Sequence, residues 1–328
     1  MVLLREGVLG ASRNRNNGHM KAFVAVTDRE WFEYLSHTGT LDEVNFWQPS
    51  PGSTFQAVRP GEALLFKLHS PDNFIAGGGV FSHWTRLRAS LAWDAFGIKN
   101  GAESLPEMRA RIERYRRTKP ALHEDYEIGC ILLQQPFFLP RDHWLPVPDW
   151  HANIVRGKAY DLTIEPGRTL WQDIQDRLQA VTFTDETGGE IPQPVSRYGE
   201  PVVVLPRLGQ GSFKIMVADA YSRRCAVTGE RAFPVLQAAH IRPYAEGGDH
   251  RVDNGLLLRS DLHILFDRGY MTVTPEYRVE VSRRLKKDFD NGEEYLARHG
   301  QRIVVPSSPA WRPSRDFLAW HNERRFVG

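Results

Sequence analysis

His240, Asn254, His263 and Asp267 follow one another at intervals of 14, 9 and 4 residues, and together they hold the functional groups of a metal-assisted hydrolysis. The first closes the short apolar run of LQAAHIRPYAEGGD (236–249), ahead of a proline and a Gly-Gly turn. An imidazole with its ordinary pKa of about 6.5 accepts a proton readily at neutral pH. An amide such as Asn254 orients neighbouring groups without adding charge. His263 and Asp267 stand four apart, so on a helix they point the same way and can grip one cation or one phosphate. The reaction that needs this set is phosphodiester cleavage: the imidazole takes a proton from attacking water while a divalent cation stabilises charge on the phosphate and the leaving oxygen. Taken singly, each residue also has a plain reading, His240 as a satisfied core histidine, Asn254 as a turn former and Asp267 as a surface partner. Several spaced polar residues inside one fitting apolar pattern outweigh those separate readings.

Positioning such a set takes a strand, a loop, a second strand and a helix. VLQAAHI reads as the first strand, RPYAEGGDHRVDN as the polar loop, and LLLRSDLHILFD as a strand running into a helix. Upstream, VVVLPRLGQGSFKIMVADAYSRRCAVTGE reads as a strand, a glycine turn and a helix. Gly209-Gln210-Gly211 lacks the third glycine of a dinucleotide loop and the Lys-Ser/Thr of a P-loop, so it reads first as a turn that starts a helix, with a phosphate contact as the weaker alternative. Arg242, Arg259 and Arg268 flank the set; the guanidinium fork suits phosphate oxygens, and they read either as contacts to a nucleic-acid backbone or as solvated side chains. His250 and His69 have no such companions and read as surface residues.

The chain of 328 residues exceeds what one core usually organises, which favours two domains. Its 41% hydrophobic and 25% charged residues are those of a soluble globular protein, and a net charge of +2 neither demands nor excludes nucleic acid. No stretch approaches the roughly 20 apolar residues of a membrane span, and the opening residues have too short an apolar segment for a signal peptide, so a cytoplasmic location and no membrane partner are expected. Two distant cysteines, Cys130 and Cys225, cannot build a four-cysteine site, and no structural zinc is expected. Residues 1–20 read as a leader. From 21 to 161 the chain is strand-rich with helical interruptions: KAFVAVT, GEALLFKLHS, IAGGGVFSHW and EIGCILLQQPFFL read as strands, WFEYLSHTG and SLPEMRARIERYRRT as helices. The arginines of the second helix face either phosphate or solvent. Residues 162–200, with TDETGGEIPQP, read as the linker, and 201–328 as the second domain.

The segment Val202–Val281 resembles the HNH nucleases and their ββα-metal fold, and the block CAVTGE…AAHIRPYAEGG…VDNGLLLRSDLHILFDRG is similar to predicted bacterial restriction endonucleases of that class, over about a quarter of the chain. The resemblance implies that His240 is the general base, Asn254 the middle asparagine, His263 a metal ligand and Asp267 a second ligand or a phosphate contact. It implies a divalent cation, Mg²⁺ or Mn²⁺, with Ni²⁺ and Co²⁺ as further candidates. One position departs from the pattern: where many members carry Asp or His immediately before the base, this chain has Ala239, which leaves the ligand set incomplete. Cys225 then reads as a core residue.

Between 21 and 161, RPGEALLFKLHSPDNFIAGGGVF and the order of strands resemble the EVE, ASCH and SRA-like domains of the PUA superfamily, β-barrels that recognise modified bases. The fold class expected is therefore α+β, a PUA-like β-barrel with helices followed by an HNH domain. A base turned out of a duplex needs aromatic faces and amides, and Trp31, Asn45, Phe46, Trp47 and Trp84 are the pocket residues expected. The whole chain then resembles modification-dependent, type IV-like restriction enzymes, with double-stranded DNA carrying 5-methylcytosine or a hydroxymethyl relative as partner. One metal centre per chain implies a homodimer for cutting both strands. A reader without nuclease activity, and a nuclease gated by a small nucleotide or by phosphorothioate DNA, stay open beside it.

Overall fold

The computed structural model describes residues 20–52, 54–121, 123–151, 153–186 and 208–328. Residues 1–19 of the expected leader and the VVVLPR run at 202–207 lie outside the described residues. The first part of the chain runs β1 (Lys21–Thr27), α1 (Arg29–Ser36), β2 (Glu43–Gln48), β3 (Ala63–Leu68), β4 (Phe74–Arg88), α2 (Ala89–Phe96), α3 (Leu105–Tyr115), β5 (Glu127–Phe138), β6 (Leu145–Pro146), β7 (Gly157–Asp161) and α4 (Gly167–Glu186). The second runs α5 (Gln210–Ala220), β8 (Leu236–His240), β9 (Gly255–Arg259), α6 (Ser260–Asp267), β10 (Met271–Val273), β11 (Val279–Val281), α7 (Arg284–Phe289), α8 (Glu293–Leu296) and α9 (Arg315–Arg324).

Seven strands form one sheet in the order β2-β5-β4-β3-β1-β7, with β6 on β4. Among the described strands only β1 and β3 pair in parallel. KAFVAVT is apolar on both faces because both are covered: Ala22 and Val24 face one core with Tyr160, while Phe23 and Ala25 face the other with Trp31, Phe32 and Phe66. Local chemistry starts the helices on the second face, where the Asp28 carboxylate accepts the Trp31 amide at 2.7 Å and Ser104 accepts that of Glu107 at 3.4 Å. The glycines of GGGVF let three strands close up, since a Cβ on Gly77 would lie 2.3 Å from the Phe137 carbonyl oxygen. Register shifts between Gly78 and Val80 and between Phe81 and His83 then bend β4 across the sheet. The result is an α+β architecture, as expected.

Two expectations need correction. Part of the stretch read as linker is helix: α4 buries Leu170 and Ile174, one turn apart, against Ala22, Val24 and Tyr160. Its polar composition belongs to the solvent face, and the TGGEIPQP that follows lies outside the described residues. The residues expected to line a base pocket are instead core. Trp31 is 2% exposed and its ring meets Phe46 and Phe66 edge-on at 5.4 and 5.2 Å. Asn45 is fully buried and donates to Asn100 Oδ1 at 2.8 Å, and the Trp47 indole donates to the Asn100 carbonyl at 3.1 Å. These polar edges hold β2 onto the loop after α2 and offer no open face to a base. Phe46 and Trp84 are half-buried and pack against the same core, the Trp84 indole donating to Gln48 Oε1 at 3.0 Å beneath Arg86. The arginines of α3 also stay within the chain: Arg114 grips both oxygens of Glu30, and Arg111 pairs with Glu107.

A Trp31→Ala variant should therefore lose about 3–5 kcal/mol of stability in urea unfolding, the cost of emptying a core aromatic site. A loss below about 1 kcal/mol would mean the ring faces a pocket.

Candidate active site

β8 and β9 pair antiparallel with His240 opposite Gly255, which brings the two ends of the intervening loop together. Asn254 closes that loop from inside. Fully buried, it accepts the Arg242 amide at 2.9 Å through Oδ1 and donates through Nδ2 to the carbonyls of Arg242 at 2.9 Å and Asp249 at 3.0 Å. All its polar capacity goes to backbone, so Asn254 shapes the loop and does not reach a substrate. Gly248 allows the closure, because a Cβ there would sit 1.9 Å from the Arg242 carbonyl oxygen.

The closed loop delivers a residue that sequence reasoning set aside. His250 Nδ1 lies 2.9 Å from His240 Nε2, with its ring stacked on Tyr244 at 5.0 Å. One face of His240 stacks on Phe213 of α5, with ring centroids 3.9 Å apart and planes 11° from parallel. Burial, followed by the charges that His250 and His263 would carry, pushes the His240 pKa down to about 4. The imidazole is thus neutral at pH 7.

His263 and Asp267 do share a face of α6, with Nε2 and Oδ2 3.3 Å apart. Gln237 Oε1 lies 2.7 Å from His263 Nδ1. An amide oxygen only accepts, so Nδ1 carries the proton and Nε2 keeps its lone pair, the arrangement in which an outer partner readies a histidine for a metal. Ala239 is fully buried in the core and contributes nothing. Among the described residues no group of three His, Cys, Asp or Glu side chains is gathered for one ion. The donor set fits a divalent cation that takes its remaining ligands from water and phosphate.

His240, His263 and Asp267 line one cavity of about 620 Å³, together with Phe213, Lys214 and Tyr244. Lys214 has no carboxylate partner among the described residues, which leaves its charge for whatever enters. The flanking arginines divide. Arg259 is bound to both oxygens of Asp261 at 2.7 Å and to Glu294 at 2.8 Å, so it braces α6 and does not reach for phosphate. Arg242 is held by the Glu246 carbonyl at 2.6 Å and lies over Trp320. Arg268 is exposed and its guanidinium has no partner among the described residues.

Sequence reasoning missed His250, Phe213, Gln237 and Lys214. The Gly-Gly turn at 247–248, seven and eight residues after His240, was the available signal for His250, since it folds the loop back on itself. The other three come from α5 and the middle of β8, and only the tertiary arrangement brings them in.

The match to known families falls on this site. Residues 225–274 match the model of a family described as HNH endonuclease. That span holds all four residues singled out by spacing, and it lies within Val202–Val281, the segment that resembles the HNH nucleases. No curated protein matches the chain. Among solved structures, a modification-dependent TagI restriction endonuclease is 22% identical with a TM-score of 0.28, covering 36% of this chain and 38% of that one. An ASCH protein from Zymomonas mobilis is 9% identical with a TM-score of 0.30, covering 47% of this chain and 94% of its own. A mutant of the same protein gives 9%, 0.31, 48% and 97%. The chain spans well under half the length of TagI, and the geometry of the HNH segment, not these overlaps, carries the functional conclusion. Among the described residues no helix is long and apolar enough to cross a membrane.

Behind α6 the HNH segment rests on a second buried imidazole. His321 stacks on Phe266 at 3.7 Å, donates from Nε2 to the Phe266 carbonyl at 3.1 Å and accepts the Thr272 hydroxyl at 2.8 Å. Burial pushes its pKa down to about 4. In the unfolded chain a histidine titrates near about 6.5. The stabilisation is thus complete above about pH 6.5 and is lost as pH falls toward 4, by about 3 kcal/mol for a shift of this size. Urea midpoints should fall between pH 7 and pH 4.5, and His321→Asn should flatten that fall. An equally steep fall in the variant would remove His321 as its source.

Proposed function

We propose that this protein is a DNA endonuclease in which His240 is the general base and His263 with Asp267 holds a divalent cation, Mg²⁺ or Mn²⁺. The observation that carries the reading is the neutral His240, stacked on Phe213 and hydrogen-bonded to His250, in the same cavity as the His263–Asp267 pair. When bound, the cation supplies charge stabilisation at the phosphate and the leaving oxygen. With Nε2–H donated to His250 Nδ1, His240 keeps a lone pair on Nδ1, the atom that takes the proton from water, and His250 stabilises the imidazolium that forms. The low pKa of the free site suits a substrate that is itself an anion: a phosphodiester in the cavity raises the basicity of His240 toward the working pH. Lys214 meets the negative charge that builds on phosphorus, and a Lys214→Met variant should lose roughly ten- to a hundredfold in kcat with DNA binding nearly unchanged.

The finer part of the reading is that the sheet-rich domain selects the substrate by taking up a modified cytosine, 5-methylcytosine or hydroxymethylcytosine, turned out of the duplex. It is supported by the resemblance of residues 21–161 to the PUA superfamily. Trp84 and Phe46 are the expected pocket aromatics that stay half-buried. On this reading two copies act together, one on each strand.

The test is cleavage of matched plasmids, unmodified, 5-methylcytosine-containing and hydroxymethylcytosine-containing, with Mg²⁺ or Mn²⁺ and with EDTA. Cutting is expected on a modified plasmid only, abolished by EDTA and by His240→Ala, while the variant still binds that DNA and the mass on DNA is that of a dimer. Equal cutting of all three plasmids would remove the modified base from the proposal. No cutting under either metal would remove the nuclease.

A further inference from the structure

The Gly209-Gln210-Gly211 turn starts a helix, as first read, and it also holds an anion, which comes from the sheet-rich part of the chain. Gly211 and Ser212, the first amides of α5, donate to the two oxygens of Glu43 at 2.8 and 2.9 Å. Glu43 belongs to β2 of the sheet and is fully buried. Lys99 approaches the same carboxylate at 3.1 Å. Gln134, paired with Glu43 across β2 and β5, completes the grip: its Oε1 accepts the Gly209 amide at 2.8 Å and its Nε2 donates to the Ser212 hydroxyl at 2.8 Å. The glycine is required here, since a Cβ on Gly209 would lie 2.2 Å from the Glu43 carboxyl carbon.

The far end of α5 is held as well. Asp219 meets His83 of β4 at 3.0 Å and Arg223 at 3.1 Å, and Arg223 donates to the Arg86 carbonyl at 2.7 Å. A helix seeking only a cap would find one in a serine or aspartate of its own chain. This one is capped by a carboxylate 168 residues away in sequence, buried at the desolvation cost that such a group carries. The residue after the capped amides is Phe213, the ring stacked on His240.

We propose that the sheet-rich domain positions the general base of the nuclease: Glu43 fixes the first turn of α5, α5 fixes Phe213, and Phe213 fixes the His240 ring. Glu43 and Phe213 are positioning residues, and the inference rests on the reading of His240 as the base. The arrangement gives the domain proposed to read DNA a direct mechanical hold on the site proposed to cut it. A displacement of β2 is transmitted along one helical turn to the imidazole.

The test uses the full chain with ring-labelled histidine. Stacking on Phe213 shifts the His240 ring protons upfield, a signal assigned by its loss in His240→Gln. Glu43→Ala should move that signal downfield and lower kcat at least tenfold on whichever plasmid the wild type cuts, with affinity for the same modified duplex within twofold. Phe213→Leu should do the same with α5 still docked. Glu43→Gln, which keeps the shape and one acceptor, should fall between wild type and Glu43→Ala, and it replaces the alanine variant if that does not fold. Leu35→Ala, which weakens the core of the sheet domain away from the carboxylate, should lower stability and leave the His240 signal in place. An unmoved signal, or an unchanged kcat, in folded Glu43 variants would overturn the proposal. If the wild type cuts no DNA, it is the nuclease reading that fails, and the His240 signal then decides the coupling alone.

Discussion

On the proposed reading His240 is a base that works from inside a protein and has to stay unprotonated until its substrate arrives, and that constraint accounts for its surroundings. Water is kept from one ring face by Phe213. His250 occupies Nε2, and burial disfavours the charged form of the ring. Neither neighbour works unless it is rigidly placed, because a drift of about an ångström weakens a hydrogen bond or a stack substantially. Hence the loop is pinned by three hydrogen bonds of buried Asn254, and α6 is pinned at its start by Arg259 and from behind by His321. Residues that look like substrate contacts in sequence, Asn254 and Arg259 among them, spend their bonding capacity on holding the frame.

The reading from sequence succeeded where chemistry and periodicity coincide locally. VLQAAHI and LLLRSDLHILFD have the patterns of a strand and of a strand entering a helix, and each forms where expected, which sets His263 and Asp267 on one face. It failed where the deciding contact is distant. An indole beside Asn and Gln reads the same whether it will stack on a base or on Phe66, because composition does not say which face a neighbouring strand will cover. Trp31, Asn45 and Trp47 went into the core because α2 and α3 close over β2. His250 looked solitary for a related reason. Its companion is ten residues away, across a turn whose closure depends on Gly248 and Asn254 acting together.

The two parts of the chain do not meet as independent domains with a polar seam. The carboxylate of Glu43 and the amide of Gln134, both fully buried, are satisfied by the first turn of α5, and each side leaves the other with unpaired groups if it withdraws. Separation therefore exposes a helix terminus on one side and a buried charge on the other, which makes partial loosening costly and a single docked geometry strongly preferred. A helix that belongs by packing to the core of the HNH segment is thus oriented by the sheet.

The site is also incomplete in a consistent direction. On the proposed reading it offers two protein ligands where a divalent cation takes about six, a base too weak for neutral pH, and a lysine with no carboxylate partner among the described residues. On that reading a phosphodiester would mend all three at once, supplying oxygen ligands to a cation held by His263 and Asp267, strengthening His240 by its charge and giving Lys214 a partner. On the proposed reading, the catalytic state exists only with DNA in the cavity. A nuclease so arranged is quiet by default, and the placement of α5 by the sheet domain decides how well the base meets the phosphate when it comes.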